Sequence, residues 1–161
     1  MTVNEKFETI TKLLISKKTT ITTMESCTCG LIASLLTDTE GASAIMKGAD
    51  ITYSNEAKVM AGVPEAVINK YGVYSKETAK EMALKCRDRF GADIGIGITG
   101  SFGNADPNNP DSVPGEVHFA IATEKELVIK SAAIPPQPTR HDYKLYAAEL
   151  IADALLSVIE H

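Results

Sequence analysis

The sequence has few cysteines and no long apolar segment. Its three cysteines, Cys27, Cys29 and Cys86, are an odd number, and the first two are too close together for an ordinary disulfide bond. This excludes a disulfide framework and predicts a reduced chain in the cytoplasm. Residues 1–18 mix charged and apolar side chains, so we expect neither a signal peptide nor a membrane span there.

The chain also lacks an excess of positive charge. Its formal net charge is −5, which argues against binding to nucleic acid or to a membrane surface in general. A small anionic ligand stays possible, because a few local N–H groups or lysines can hold one phosphate. A hydrophobic fraction of 44% over 161 residues, with no repeat and no linker, predicts one globular domain over residues 1–161.

Apolar spacing and β-branched runs predict helices that alternate with strands, followed by one hairpin. This pattern favours an α/β fold, a three-layer α/β/α sandwich around a mixed sheet. One predicted helix carries the apolar residues from Val3 to Leu14, a second covers residues 30–36, and a third begins near an Asn55 N-cap. A fourth covers Lys76–Phe90, between a Ser75 N-cap and Gly91, and the last begins at a Thr139 N-cap. The predicted strands are residues 19–24, 49–53, 93–99, 116–123 and 127–134, and residues 101–115 are predicted as a loop.

The segment from Met24 to Gly30 lies where a predicted strand gives way to a helix. Such a turn lifts a hydroxyl out of the sheet and places it against unpaired helix N–H groups. The geometry suits Ser26 as a nucleophile, and it also suits anion binding. The simpler interpretation is that Ser26 or Thr28 only caps the helix.

A second segment, from Thr52 to Lys58, places a lysine near the start of a predicted helix. That position is unfavourable for a cation because of the helix dipole. A lysine that is removed from water can become neutral and take a proton from serine without any histidine. The simpler interpretation is an exposed surface lysine.

A third segment, from Gly95 to Gly103, is rich in glycine and ends a predicted buried strand at Thr99 and Gly100. Ligands of α/β sheets usually bind at such strand ends. Gly95 and Gly97 fit two interpretations, a phosphate-binding loop or close packing against the strand.

Together the motifs ESCTCG, TYSNEAK and ITG resemble the signature of the CinA C-terminal domain family, the nicotinamide-nucleotide amidohydrolases. The resemblance runs from about Lys6 to Leu156 and includes the connecting fragments GVP, YGVYS, GAD and PGEV. It implies deamidation of nicotinamide mononucleotide to nicotinate mononucleotide and ammonia. It also implies a homodimer or larger assembly, and no metal or cofactor.

The resemblance implies a role for each matching position. Ser26 would attack the carboxamide, and Lys58 would be the base, acting directly or through a proton relay by Tyr53. Backbone N–H groups of Cys27 and Thr28 would form the oxyanion hole. The remaining substrate-binding positions that it implies are Glu25, Cys29, Gly30, Asn55, Thr99, Gly100 and Arg140.

The sequence departs from the family pattern around the predicted pocket. Cys29 stands where the family usually has glycine, and Lys144 stands where it often has a second arginine after Arg140. The loop after Gly100 reads SFGNADP in place of a glycine-rich segment. These departures favour two alternatives, a nucleotide-binding or interaction protein without activity and a hydrolase of another small amide.

The cysteines and histidines raise two other kinds of site, a metal centre and a serine–histidine triad. Cys27 and Cys29 lack the two-residue gap of zinc and redox motifs, and no second ligand pair follows, so no metal site is expected. A serine–histidine triad would need His118 or His141 near Ser26, and nothing in the sequence places either there. His161, the last residue, is expected to be exposed to solvent.

Overall fold

A five-stranded mixed sheet forms the centre of the protein in the computed structural model, which describes residues 1–160; His161 lies outside the described residues. The strands are β1 Ile21–Glu25, β2 Met46–Ile51, β3 Ile94–Gly100, β4 Glu116–Ala122 and β5 Leu127–Ala133. β1 is parallel to β2 and β3, whereas β4 is antiparallel to β3 and β5 is antiparallel to β4. The spatial order is β2-β1-β3-β4-β5.

Residues 1–160 also form six α-helices. They are α1 Val3–Lys17, α2 Leu31–Leu36, α3 Asn55–Met60, α4 Glu65–Tyr71, α5 Lys76–Phe90 and α6 Arg140–Glu160. The ends of the two longest predicted helices follow the sequence signals. Ser75 accepts from the Thr78 N–H at the start of α5, and Gly91 ends that helix with φ +59°. Thr139 Oγ1 accepts from the Asp142 N–H at the start of α6.

The helices lie on both faces of the sheet. α1, α2 and α6 share one buried cluster with alternate strand residues such as Ile94, Ile96 and Ile98. α5 covers the opposite face, where Met82 packs with Met24 of β1. This confirms the predicted three-layer sandwich around a mixed sheet, because side chains of a strand alternate between two covered faces.

The glycines of β3 bring α5 close to the sheet. A Cβ atom on Gly97 would lie 2.4 Å from the Ala79 carbonyl oxygen and 2.5 Å from the Ala83 nitrogen. A Cβ atom on Gly95 would lie 2.3 Å from the Ala83 carbonyl oxygen. Of the two interpretations of these glycines, close packing therefore holds, because their open sides face a helix and leave no room for a phosphate.

Some predicted boundaries were wrong. β2 covers Met46–Ile51, earlier than the predicted 49–53, because it pairs with β1 from Ile21 onward. Ser54, and not Asn55, is the N-cap of α3, since its side chain accepts from the Ala57 N–H. The sequence prediction missed α4, which begins after Pro64, and a short 3₁₀ helix at Ala42–Ala44.

None of the helices within residues 1–160 is long and apolar enough to cross a membrane.

Candidate active site

The predicted site residues meet at the carboxyl ends of the three parallel strands. Ser26 follows β1, and its N–H donates to the Ile98 carbonyl of β3. Thr52 follows β2, and its N–H donates to the Glu25 carbonyl. These bonds continue the strand pairing by one residue, so the turn after β1 and the segment before α3 lie side by side.

Ser26 and Lys58 are in direct contact. Lys58 Nζ lies 3.1 Å from Ser26 Oγ and 2.8 Å from the Thr52 carbonyl oxygen. Lys58 is 2% exposed and Ser26 is 6% exposed. Lys58 is therefore not the exposed surface lysine of the simpler interpretation. The distance is within hydrogen-bond reach of a nucleophile and its base.

Burial changes the acidity of Lys58. Removal from water disfavours the ammonium form and lowers the pKa of Lys58 to about 8, although the negative charge of Asp106 opposes this shift. A fraction of the lysine is therefore neutral at physiological pH, as a general base requires. The nearby Cys27 thiol stays protonated, because burial raises its pKa to about 12.

Glu25 holds the turn in place from inside the protein. It is fully buried, and its two carboxylate oxygens accept hydrogen bonds from Thr23, Thr28 and the N–H groups of Ile32 and Ala33. The side chain thus caps α2 and orients the segment between β1 and that helix. The family resemblance implies that Glu25 and Thr28 bind substrate, but both side chains point into this internal network and away from the cavity.

Two backbone N–H groups of this turn lack an oxygen acceptor among residues 1–160. No oxygen among the described residues accepts from the N–H groups of Cys27 and Thr28, whereas the Cys29 N–H donates to the Ser26 carbonyl. Cys29 takes the left-handed conformation with φ +49°, and Gly30 follows with φ +93°. The cysteine therefore adopts the conformation that favours glycine, and its side chain is exposed. The N-cap residue of α2 is Gly30, which has no side chain, and the Glu25 carboxylate accepts from the first N–H groups of the helix instead, so neither Ser26 nor Thr28 is its cap.

Tyr53 and Arg140 lie at the rim. Tyr53 is 60% exposed, and its hydroxyl oxygen accepts from an Arg140 guanidinium nitrogen at 3.3 Å. No hydrogen bond joins Tyr53 to Ser26 or Lys58 among the described residues. Lys58 already reaches Ser26 directly, so the geometry does not need Tyr53 as a proton relay.

The remaining predicted residues line or support the site. Thr99 is buried and donates to the Val73 carbonyl, so its hydroxyl holds the segment before α5. Gly100 lines the cavity at the end of β3. The Asn55 amide nitrogen donates to Asn109 Oδ1 at 3.0 Å, which joins α3 to the loop after β3.

The loop after β3 contributes further residues to the site, and no sequence motif marks them. Asp106 Oδ2 accepts from the Tyr74 hydroxyl at 2.6 Å and from the Asn109 amide at 2.8 Å. The only sequence signal was the position of the loop after a buried strand, because the loop has no periodicity.

Two neighbouring cavities open onto Ser26. One cavity, of about 390 Å³, is lined by Lys58, and the other, of about 460 Å³, is lined by Arg140. The residues that line both are Ser26, Tyr53, Tyr74, Asp106 and Asn108. A small amide with a polar extension would fit this space.

Among the described residues, neither His118 nor His141, the two candidates for a serine–histidine triad, is hydrogen-bonded to Ser26. His118 lies in β4, and its Nδ1 is 2.6 Å from Ser131 Oγ of β5. His141 is exposed near the start of α6. The basic group in contact with the serine is therefore a lysine.

The fold and the site define an α/β protein with a buried serine–lysine pair at the carboxyl ends of its parallel strands. A family model described as the CinA C-terminal domain matches residues 4–158. The chain belongs to the CinA C-terminal domain family.

Similar proteins of known sequence carry names from this family. A CinA-like protein of Chlorobaculum tepidum is 37% identical over 153 residues, which are 92% of this chain and 36% of the relative. A CinA-like protein of Flavobacterium psychrophilum is 44% identical over 117 residues, which are 71% of this chain and 27% of the relative. The chain thus spans well under half the length of these curated relatives.

Solved structures show the same fold. A competence-damaged protein (CinA) superfamily protein from Klebsiella pneumoniae matches with a TM-score of 0.91 at 23% identity, over 100% of this chain and 99% of the other. A competence or damage-inducible protein from Enterobacter asburiae matches with a TM-score of 0.90 at 26% identity, over 99% of both chains.

Proposed function

We propose that the protein hydrolyses the carboxamide of nicotinamide mononucleotide through a Ser26 acyl-enzyme, with Lys58 as the general base. The observation that carries the proposal is the 3.1 Å contact between Lys58 Nζ and Ser26 Oγ at a buried site. Family resemblance supplies the substrate. The three free cysteines fit a reaction in the cytoplasm.

The first step forms the acyl-enzyme. Neutral Lys58 takes the Ser26 hydroxyl proton while Oγ attacks the carboxamide carbon, which gives a tetrahedral oxyanion. The N–H groups of Cys27 and Thr28, which have no oxygen acceptor among the described residues, are the donors that we assign to this oxygen, and one such donor typically contributes about 3 kcal/mol to the transition state. The C–N bond then breaks as the protonated Lys58 returns a proton to the leaving nitrogen, and ammonia departs.

The second step releases the acid. Water attacks the acyl carbon while Lys58 takes its proton, and the ester bond to Oγ breaks as Lys58 returns a proton to Ser26. The product is the nucleotide carboxylate. Arg140 lines the second cavity and is the cation that we assign to the phosphate of the nucleotide.

Ammonia release from nicotinamide mononucleotide by the purified protein tests the proposal. We expect Ser26→Ala and Lys58→Met each to lower kcat by about a thousandfold or more, because nucleophile and base act as a unit. Matched controls are Ser34→Ala, an exposed serine of α2, and Lys47→Met, an exposed lysine of β2. Both controls should keep full activity.

Two results would contradict this proposal. Wild-type protein that binds the nucleotide but releases no ammonia would indicate a binding protein without activity. Full turnover in both Ser26→Ala and Lys58→Met would show that another pair of residues carries the reaction.

A further inference from the structure

The charges around the two cavities are unevenly distributed. Asp106 lines both cavities, and Glu56 lines the one that contains Lys58. Arg140 is the cationic residue of the other cavity, where its guanidinium lies 5.7 Å from the centre of the Phe102 ring. Once Lys58 is neutral, the space beside Ser26 is anionic, and positive charge lies toward Arg140.

Three donors hold the Asp106 carboxylate in place. The Tyr74 hydroxyl and the Asn109 amide donate to Oδ2, and the Asn108 N–H donates to Oδ1 at 2.9 Å. The hydrogen bonds, from Tyr74 first, lower the pKa of Asp106, so the group is ionised across the physiological range. The carboxylate is therefore a fixed negative charge, and Oδ1 keeps a lone pair free for a further partner.

The reacting ring of the proposed substrate carries a positive charge. The carboxamide of a pyridinium nucleotide is attached directly to the cationic ring. When the carboxamide carbon reaches Ser26 Oγ, the ring must occupy the space that Asp106 lines. The rings of Tyr53 and Tyr74 line the same space, and aromatic faces also attract cations.

We infer that Asp106 is a specificity-determining residue that selects amides attached to a positively charged ring. This inference rests on the proposed function for the identity of the reacting ring. Asp106 attracts the pyridinium. Glu56, which lines the cavity of Lys58 and not the other, repels the phosphate there, and Arg140 attracts the phosphate to the second cavity. The same substrate with an uncharged ring would lose this attraction.

Binding to the Ser26→Ala variant tests the inference without turnover. The probes are nicotinamide mononucleotide and its analogue in which a benzene ring replaces the pyridinium ring and the carboxamide is kept. The two compounds match in shape and in their phosphate group. We expect the pyridinium compound to bind about tenfold more tightly, because the attraction between opposite charges in a partly exposed site changes an affinity by roughly this factor. High salt should reduce this preference.

Further substitutions in the Ser26→Ala background separate charge from loop position. Asp106→Asn should reduce the preference to about twofold or less, whereas Asp106→Glu should retain most of it. Tyr74→Phe removes the 2.6 Å hydrogen bond but leaves the carboxylate, so it should also retain the preference.

Several outcomes would overturn the inference. They are an unchanged preference in Asp106→Asn, an equal loss in Tyr74→Phe, a preference that does not respond to salt, or no binding of either probe. Binding with the expected preference by a wild-type protein that releases no ammonia would overturn the proposed function alone.

Discussion

In the proposed mechanism, Lys58 performs two tasks that depend on its protonation state. The ammonium form donates to Ser26 Oγ and to the Thr52 carbonyl, whereas only the neutral form can accept the serine proton. Because burial lowers the pKa of Lys58 to about 8, both forms are available near neutral pH. A side chain with this pKa can act first as base and then as acid in one catalytic cycle.

The pH dependence of activity follows from this residue. We expect kcat/KM for nicotinamide mononucleotide to rise with pH through about 8 and to level off above it, because the neutral lysine is the reacting form and its fraction grows as protons are removed. Steady-state rates over a pH series measure this profile. Activity that is flat with pH, or that falls as pH rises toward 8, would contradict the assignment of Lys58 as base.

Single residues of the site differed in how well the sequence predicted them. The motif around Ser26 and the motif around Lys58 are local, so both were recognised from the sequence. The hydrogen-bond network of Glu25 was not recognised. Its carboxylate reaches the N–H groups of Ile32 and Ala33, and the direction of this side chain is set by the packing of β1 against α2. For Tyr53, the sequence left a relay role open, and the bond to Arg140 arises between segments far apart in the chain.

At the scale of elements, the turn between β1 and α2 stores conformational strain at one position. Cys29 has φ +49° although it is not a glycine, and it follows Thr28, whose hydroxyl donates to the Glu25 carboxylate. A non-glycine residue in this region is destabilised by about 1 kcal/mol, which the surrounding hydrogen bonds offset. The turn thus keeps its shape despite the departure from the family pattern.

Replacement of Cys29 by glycine tests this strain. We expect Cys29→Gly to raise the free energy of unfolding by about 0.5 kcal/mol, because relief of strain in the folded state exceeds the added freedom of the unfolded chain. Thermal and denaturant unfolding measure the change. Cys29→Ala is the matched control, since it removes the thiol but keeps the Cβ atom, and it should leave stability nearly unchanged. Destabilisation by Cys29→Gly would contradict the interpretation.

Element boundaries were predicted well where a cap or a glycine marks them. Ser75 and Gly91 bound α5 as predicted, because both signals act within one turn of the chain. The start of β2 was missed because pairing with β1 decides it, and α4 was missed because its seven residues show too short a pattern.

At the scale of the whole molecule, close contact between α5 and β3 joins one helical layer to the sheet. Gly95 and Gly97 of β3 face Ala79 and Ala83 of α5. The two backbones lie so close together that a Cβ atom on either glycine would collide with the helix. Thr99 follows on the same face and donates to the Val73 carbonyl. This contact places the segment before α5, including Tyr74, against the cavity.

Substitution of Gly97 tests how much the contact between α5 and β3 contributes to the stability of the fold. Gly97→Ala should lower the free energy of unfolding by about 3 kcal/mol, because its Cβ atom would collide with backbone atoms of α5, which cannot move aside alone. Denaturant unfolding measures the loss. Gly103→Ala is the control, since its Cβ atom would meet only Tyr143 at 3.5 Å, and its stability should be close to wild type. Equal stability of the two variants would contradict the argument.

The sequence by itself determined the alternation of helices and strands, the layered α/β class and the order of the three motifs, because these depend on periodicity and on short local patterns. Only the tertiary structure decided the contact between Lys58 and Ser26. It arises because parallel pairing of β1 and β2 sets Ile51 beside Glu25, so that the next residue, Thr52, donates its N–H to the Glu25 carbonyl and its own carbonyl accepts from Lys58. Burial at this place then shifts the lysine toward its neutral form. The position of Asp106 was also decided there, since hydrogen bonds from Tyr74 and Asn109 fix a loop that has no periodicity of its own.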